Sequence, residues 1–164
     1  MSPVTPDEIE ALLRDPSVPW EERRDRVKDL QGVTGATAAG LEAARAAGDW
    51  GKFELFLLVA AAHPDPSYLP PITAALALGA REVPNEDALE VLADLPDPGT
   101  IALLERIART EHEWDEFNQV GVKAVWALEA IHTPEATAAL ARIAEHGDEY
   151  VQRWAAKAVT RRTR

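Results

Sequence analysis

The sequence predicts an all-α fold: a right-handed α-solenoid of about four helix pairs behind an N-terminal helical cap. Three observations support this prediction. A helix end, a proline-marked corner and a new amphipathic helix occur in LPDPGTIALLERIA, residues 95–108, and again in IHTPEATAALARIA, residues 131–144. Apolar residues recur at the three- and four-residue spacing typical of helices. No segment alternates convincingly between apolar and polar residues, so the sequence indicates no sheet.

Residues 1–35 are predicted to form the N-terminal cap. The segment TPDEIEALLRD has the signature of a capping box, with Thr5 as N-cap and Glu8 three residues later. The segment PWEERRDRVKDLQG predicts a second helix that ends at Gly32, and residues 32–35 are predicted to link the cap to the first repeat. A terminal pair has one neighbour and needs a polar outer face, so we assign this pair as the cap.

Residues 36–164 are predicted to form the repeat array, in one compact domain with the cap. Residues 56–66, 88–98, 124–134 and 155–162 align at successive offsets of 32, 36 and 31. The total offset of 99 also places Gly48-Asp49 over Gly147-Asp148, two corners that were not used to make the alignment. The predicted helix pairs are Thr37–His63, Tyr68–Leu95, Gly99–His132 and Pro134–Arg161.

Each predicted pair has a capped first helix and an apolar second helix. First helices begin at Asp65-Pro66, Asp97-Pro98 and Thr133-Pro134, because proline is tolerated in the first turn and the preceding side-chain oxygen can cap it. In the second helices, Leu92 and Leu128 occupy equivalent positions and are predicted to be buried. Small residues that permit close approach of helices lie at Gly121, Ala124, Ala155 and Ala158.

Two-helix units of 31 to 36 residues, with a proline corner and second helices such as RWAAKAV, resemble HEAT repeats. The similarity is greatest to the short HEAT-like type found in bilin lyases and many bacterial proteins, and it covers about residues 37–161. The resemblance implies an α-solenoid and no particular activity. Armadillo and tetratricopeptide arrays fit less well, because the three-helix unit and the tryptophan–glycine–tyrosine signature are missing.

Composition restricts the function classes. The chain has no cysteine, which excludes a thiol nucleophile and a thiolate metal site. Its start has no basic region followed by an apolar run, and its longest apolar run, residues 55–62, is too short to span a bilayer. We therefore expect a cytoplasmic protein without membrane association. A net charge of −11 disfavours nucleic acid and would attract a basic protein, although solubility alone also explains it.

The sequence predicts no catalytic residue, metal or cofactor. Its histidines lie at or just after predicted helix ends, where an imidazolium complements the helix dipole. A metal site built from His112, Glu113, His146 and Asp148 is the alternative, but their spacing matches no motif. Glycine-rich phosphate loops and the GxSxG and HExxH motifs are missing.

The repeat alignment predicts an exposed ridge on the second helices. Trp126 aligns with Glu90 and Lys157, and a position that accepts opposite charges is normally solvated. Trp126 and Trp154 come from adjacent helices one turn apart, so we expect them to touch. The alternative is that both lie flat in the seam between repeats. The predicted partner-binding ridge comprises Asp87, Glu90, Asp94, Lys123, Trp126, Tyr150, Trp154, Lys157 and Arg161.

A second candidate surface is an acidic loop. Eleven residues separate Ala108 from Val120, against six between Ala144 and Val151. The additional residues fall in TEHEWDEF and are expected to expose Trp114 and Phe117 among carboxylates. Insertions in repeat proteins often lie on binding surfaces. The alternative is a tolerated solvated loop with Trp114 packed back on the array.

These observations predict a non-catalytic protein–protein interaction module that binds its partner on the concave face or the acidic loop. A sharper form of this hypothesis is an inhibitor or immunity-type protein that neutralises a toxin. HEAT-like alkylpurine DNA glycosylases place tryptophans and an aspartate on a concave face, similar to Trp126, Trp154 and Asp87, but they need a basic track for phosphates. A bilin-lyase-like enzyme also stays open, because such repeats carry no short catalytic signature.

Overall fold

The computed structural model describes residues 2–164, and all regular secondary structure in this part of the chain is helical. It contains ten α-helices and two short 3-10 helices, with no strand among these residues, which confirms the predicted all-α class. No helix in residues 2–164 has the length and apolar character needed to cross a membrane. The chain divides into two compact units. The first runs to Leu78 and includes Glu82–Pro84, and the second comprises Gly79–Arg81 and Asn85–Arg164.

The first unit contains five α-helices. They are α1 (Pro6–Arg14), α2 (Trp20–Lys28), α3 (Val33–Ala47), α4 (Trp50–Ala62) and α5 (Leu69–Leu76), the last preceded by a 3-10 turn at Pro66–Tyr68. The predicted capping box is confirmed at the start of α1. The Glu8 amide donates to Thr5 Oγ1 at 3.3 Å, and the Thr5 amide donates to the Glu8 carboxylate at 2.7 Å.

The predicted linker at residues 32–35 is wrong beyond its first residue. Gly32 has a positive φ of 79° and is the N-cap of α3, which already begins at Val33. This turn suits glycine, because residues with a Cβ rarely adopt a left-handed backbone. Val33 and Ala36 are buried. Their apolar packing therefore outweighs the weak helix propensity of Gly35, which is itself helical.

The core of the first unit lies between α3 and its neighbours. Helix α3 packs against α1, α4 and α5, and α2 packs against α1 and α4. The ring of Phe56 on α4 covers Gly40 on α3 so closely that any side chain at position 40 would overlap it. Phe53 and Phe56 are fully buried. Close helix approach at a small residue thus allows two phenylalanine rings to fill this core.

The second unit contains five α-helices in two sets. They are α6 (Asn85–Ala93), α7 (Ile101–Arg109), α8 (Gln119–Ala130), α9 (Pro134–Glu145) and α10 (Glu149–Arg162), with a 3-10 turn at Pro98–Thr100 before α7. Helix α7 packs on α8, and α9 packs on α10. The second helices α6, α8 and α10 contact one another in this order, and the first helices α7 and α9 contact each other.

The repeated corners form as predicted. The side chains of Asp65, Asp97 and Thr133 accept hydrogen bonds from the amides of Ser67, Gly99 and Ala136, at 2.9, 2.5 and 3.2 Å. Prolines at 66 and 98 open 3-10 turns that lead directly into α5 and α7, and the proline at 134 opens α9. The proline and its preceding oxygen therefore start the first helix each time.

The Gly-Asp corners confirm the offset of the repeat alignment. Gly48 and Gly147 both have positive φ, at 66° and 118°. Each is followed by an aspartate that caps a second helix, Asp49 through the Lys52 amide and Asp148 through the amides of residues 150 and 151. Two corners 99 residues apart thus share a glycine with positive φ followed by an aspartate that caps the next helix.

The register of the second helices is also confirmed. Leu92 is 2% exposed and Leu128 is fully buried. Gly121 of α8 is buried against Val151 of α10, and a Cβ at position 121 would lie only 2.8 Å from Val151 Cγ2. Among the predicted small residues, Ala124, Ala155 and Ala158 are fully buried. These positions allow α8 and α10 to approach closely.

The guanidinium of Arg162 caps the end of α8. It lies at the end of α10 and donates to the carbonyls of Leu128, Glu129 and Ile131 at 3.1, 2.7 and 2.7 Å, and to Thr137 Oγ1 at 2.8 Å. The last carbonyls of a helix have no intrahelical partner. The Arg162 side chain of α10 thus supplies hydrogen-bond donors to the last carbonyls of α8, the preceding second helix.

Truncating Leu92 or Leu128 to alanine should lower the free energy of unfolding by about 2–5 kcal/mol, because each change leaves a cavity in a packed core. Chemical denaturation of the two variants and the wild-type chain measures the loss. The exposed Leu78 is a matched control, and its replacement by alanine should cost far less. Near-zero loss at both buried positions would contradict the register described above.

Replacing Arg162 with glutamine should lower the free energy of unfolding by roughly 2–3 kcal/mol, because charge-assisted hydrogen bonds to buried carbonyls are lost. Arg153 is the control. It lies on the same helix, and its side chain is 71% exposed with only a 3.8 Å contact to Glu149. Equal melting curves for Arg162→Gln and Arg153→Gln would show that the cap contributes nothing to stability.

Candidate functional site

Three aromatic side chains form a cluster on α8 and α10. The ring of Trp126 meets that of Trp154 edge-on, with centroids 5.7 Å apart and an interplanar angle of 78°. The ring of Tyr150 also meets that of Trp154 edge-on, with centroids 6.5 Å apart and an interplanar angle of 87°. We call Trp126, Tyr150 and Trp154 the aromatic cluster. Edge-to-face geometry of this kind stabilises aromatic pairs beyond simple area burial.

The exposure of Trp126 agrees with the repeat alignment. Its side chain is 39% exposed, Tyr150 is 43% exposed, and Trp154 is half-buried. The expectation that Trp126 is partly exposed and touches Trp154 is therefore confirmed. The alternative, with both indoles flat in the seam between repeats, does not describe Trp126. Trp154 is the supporting ring, and Lys157 Nζ lies 5.1 Å from its centroid.

Ion pairs hold three charged residues of the ridge in place, Glu90, Lys123 and Arg161. Lys123 of α8 contacts Glu86 at 3.0 Å and also pairs with Glu90, both on α6. Arg161 of α10 donates to both carboxylate oxygens of Glu129 on α8, at 2.5 and 2.8 Å. These pairs tie each second helix to the preceding one. Two of the three ridge cations therefore already have carboxylate partners.

The same contacts raise the pKa of both Lys123 and Arg161. Burial by itself would lower the pKa of Lys123, but its hydrogen bonds to Glu90 and Glu86 outweigh burial and raise that pKa. The hydrogen bond to Glu129 likewise raises the pKa of Arg161. Both groups remain charged at neutral pH. The α6–α8–α10 face thus has fixed charges around an aromatic centre.

Glu86 and Glu129 are part of this face although the sequence analysis did not select them. Both carry the signal of the repeat itself. Glu86 lies 37 residues before its partner Lys123, and Glu129 lies 32 residues before its partner Arg161, which in each case is about one repeat. An acid and a base one repeat apart on second helices are brought side by side when neighbouring repeats pack. A search for such pairs would have found both.

The remaining predicted ridge residues lie on α6 or at its end. Asp87 is half-buried on α6, and Asp94 is exposed immediately after the last residue of that helix. The predicted ridge therefore spans all three second helices of the second unit. Its aromatic residues come from α8 and α10, and its acidic residues come from α6.

The acidic loop between α7 and α8 has a defined local structure. Asp115 accepts hydrogen bonds from the amides of Gln119 and Val120, at 3.0 and 2.9 Å, and so caps α8. Asn118 has a positive φ of 52°, which asparagine tolerates better than most residues. Phe117, between these two residues, is 68% exposed. The loop thus exposes the ring of Phe117 to solvent.

Trp114 differs from the expectation for this loop. It is half-buried and stacks on His112, with centroids 4.5 Å apart and an interplanar angle of 18°. The exposed aromatic residue of the loop is Phe117 instead. Phe117 and Tyr150 line one shallow depression together with Glu116, so the loop adjoins the aromatic cluster. The two candidate surfaces predicted separately are neighbours in the structure.

Two of the four residues of the alternative metal site have other contacts. His112 stacks on Trp114, and Asp148 caps α10 through two backbone amides. Within residues 2–164 no group of three or more histidine, aspartate or glutamate side chains is placed to hold a metal ion. His112 and Asp148 thus support the local fold of the second unit.

No protein-family model, no curated protein and no solved structure matches the chain.

Replacing Trp126 with alanine should lower the free energy of unfolding by less than the truncation of a core tryptophan does, because 39% of its surface is already exposed. A core tryptophan would lose about 3–5 kcal/mol. Thermal and chemical denaturation distinguish these values, with Leu128→Ala as the buried control on the same helix. A loss for Trp126→Ala as large as that for Leu128→Ala would assign Trp126 to the core.

Proposed function

We propose that this protein is a non-catalytic protein-binding module whose second unit binds a partner through the aromatic cluster and Phe117. One observation carries the proposal: Trp126 is 39% exposed while its ring is held edge-on by Trp154. Tryptophan and tyrosine are enriched among the residues that dominate binding energy, and such residues cluster at the centre of an interface. An exposed but supported tryptophan fits that role.

The side chains around the cluster are already held in place, so little conformational entropy would be lost when a partner binds. Trp154 lies between Trp126, Tyr150 and Lys157, so its ring has neighbours on several sides. Pairs from α8 to α6 and from α10 to α8 fix the helices that carry the cluster. A side chain that is already held in place loses less conformational entropy when a partner binds.

The charge of the face favours a partner with basic groups. Around the cluster, the carboxylates Glu86, Glu90 and Glu129 accept from the cations Lys123 and Arg161. Lys123 is shared by two of these carboxylates, and Asp94 adds another exposed one. Phe117 lies in an acidic loop beside Glu116. Complementary charge of this kind increases association rates and discriminates against wrong partners.

Nucleic acid fits this face less well. A phosphate track needs several cations that are free to replace counterions. Here Lys123 and Arg161 are already paired with carboxylates, and Lys157 lies over the ring of Trp154. Binding of phosphates would require breaking these pairs while leaving glutamates beside the backbone. A glycosylase-like function is therefore not our preferred proposal.

The HEAT-like, right-handed arrangement predicted from the sequence is part of this proposal. It is supported in the second unit by the contacts of α6, α8 and α10 in chain order and of α7 with α9. HEAT-like helix pairs are used for protein binding through extended surfaces. An inhibitor or immunity-type role, in which the partner is a basic toxin, is the specific form that we propose.

Binding can be tested by affinity capture followed by measurement with the purified partner. Wild-type protein, Trp126→Ala and Arg153→Ala are immobilised and exposed to lysate, and the proteins retained are identified. Arg153→Ala is the control, because that side chain is exposed and makes only a long contact. For a partner retained by the wild type and the control, titration should show that Trp126→Ala weakens binding by about 2 kcal/mol or more.

A fluorescence assay with duplex DNA and single-stranded RNA at low salt tests the alternative. Salt-dependent binding of nucleic acid at micromolar protein would contradict the proposal. Equal affinity of Trp126→Ala and wild type for the purified partner would also contradict it. Weakened binding by Trp126→Ala, with Arg153→Ala unchanged and melting temperatures preserved, is the expected result.

A further inference from the structure

A shallow depression beside the aromatic cluster is bounded by two exposed aromatic rings. Phe117 of the acidic loop and Tyr150 of α10 line it together with Glu116, Asn118 and Gln119, and its volume is about 340 Å³. We call it the Phe117–Tyr150 depression. The two rings come from different elements and make no ring contact with each other within residues 2–164. The depression is therefore large enough for one side chain of a partner and offers it uncovered aromatic surface.

The carboxylates of this loop differ from those of the ridge, because no cation of the loop neutralises them. Residues 110–122 contain four carboxylates and no lysine or arginine. The nearest cations before and after this stretch, Arg109 and Lys123, already pair with glutamates elsewhere in the second unit. Glu116 lines the depression, is exposed and has no ion pair within residues 2–164. A cation arriving there would meet a carboxylate without breaking an existing pair.

Anions are disfavoured in the depression although two helices begin beside it. A helix N-terminus attracts anions through its free amides and its dipole. Here carboxylates of the chain already occupy both N-termini. Asp115 accepts from the first two amides of α8, at 3.0 and 2.9 Å, and Asp148 accepts from the second and third amides of α10, at 2.9 and 3.2 Å. These amides are therefore not open to an external anion, and Glu116 would repel one.

We propose that the Phe117–Tyr150 depression receives an arginine side chain of the protein partner. Its guanidinium lies against the rings of Phe117 and Tyr150, and its N–H groups donate to Glu116. A guanidinium is planar and weakly hydrated, stacks on aromatic rings and can bind a carboxylate through two parallel hydrogen bonds. The ammonium of lysine is compact and strongly hydrated, so it matches this combination less well. The inference rests on the proposed function and adds which chemical group the partner presents beside the aromatic cluster.

Amide NMR titration of the full chain with the peptide acetyl-Gly-Gly-Arg-Gly-Gly-amide, at low ionic strength, tests the inference. The matched control peptides carry lysine, citrulline or glutamate at the central position. Citrulline keeps the shape of arginine and lacks its charge. We expect saturable shifts at residues 116–119 and 150. Affinity for the arginine peptide should exceed that for the lysine peptide about threefold and that for the citrulline peptide about fivefold, the scale of exposed cation–π and ion-pair contacts.

Variants at exposed positions identify the groups responsible. Glu116→Gln removes the charge with little change of shape, and Phe117→Leu removes the ring but keeps an apolar side chain. Each should weaken binding of the arginine peptide about two- to fivefold while preserving the melting temperature. Glu135→Gln is the matched control, because it makes the same change of charge in the second unit. Glu135 is exposed in the first turn of α9 and does not line the depression.

Several results with the peptides would overturn the inference. Equal affinity for the arginine and citrulline peptides would do so, as would tighter binding of the glutamate peptide or an absence of saturable shifts. So would shifts centred away from residues 116–119 and 150, or a loss for Glu135→Gln as large as that for Glu116→Gln.

The purified partner separates this inference from the proposed function. We expect Trp126→Ala and Glu116→Gln each to weaken partner binding, with Glu135→Gln unchanged. If Trp126→Ala weakens binding and Glu116→Gln does not, the inference is wrong and the proposed function stands. If neither variant weakens binding, both are wrong.

Discussion

The close approach of α8 and α10 at Gly121 is the constraint on which the second unit depends. Glycine at this position lets Val151 pack where a Cβ would sit 2.8 Å from its methyl group. Because the two helices meet there, Trp126 reaches Trp154 and Arg161 reaches Glu129. A larger residue at position 121 would separate the helices and disturb both contacts. Packing at a small residue thus determines the surface proposed to bind a partner.

Electrostatic contacts in the second unit follow one direction along the chain. Lys123 pairs with Glu90, Arg142 with Glu105 and Arg161 with Glu129, at separations of 33, 37 and 32 residues. In each case the cation lies on the later helix and the carboxylate on the earlier one. Such pairs contribute modest stability one at a time. Their common direction favours one register over shifted ones, because a shift by a turn would break all of them together.

The repeat alignment predicted much of the fold and part of the site. Local rules were sufficient for the cap at Thr5 and the proline corners, because those features depend on a few adjacent residues. Exposure of Trp126 was predictable because its counterparts in other repeats are charged. The helical start at Val33 and the stacking of Trp114 on His112 were not, because both depend on which tertiary surface is within reach. Helix propensity and loop composition do not show which tertiary surface a segment will contact.

Net charge alone is therefore a poor guide to what this chain binds. The excess of acidic residues predicts repulsion of anions, yet the surface beside Trp20 and Leu58 in the first unit is lined by Arg24 and Lys28 and by no acidic residue. Conversely, the last eight residues, KAVTRRTR, are basic, but Arg161 pairs with Glu129 and Arg162 donates to the carbonyls at the end of α8. Coulomb interactions in water act over short distances, so a ligand responds to the groups within about 10 Å rather than to the total. The two units consequently present surfaces of different character, an aromatic one with paired carboxylates and cations in the second unit and an apolar one beside Arg24 and Lys28 in the first.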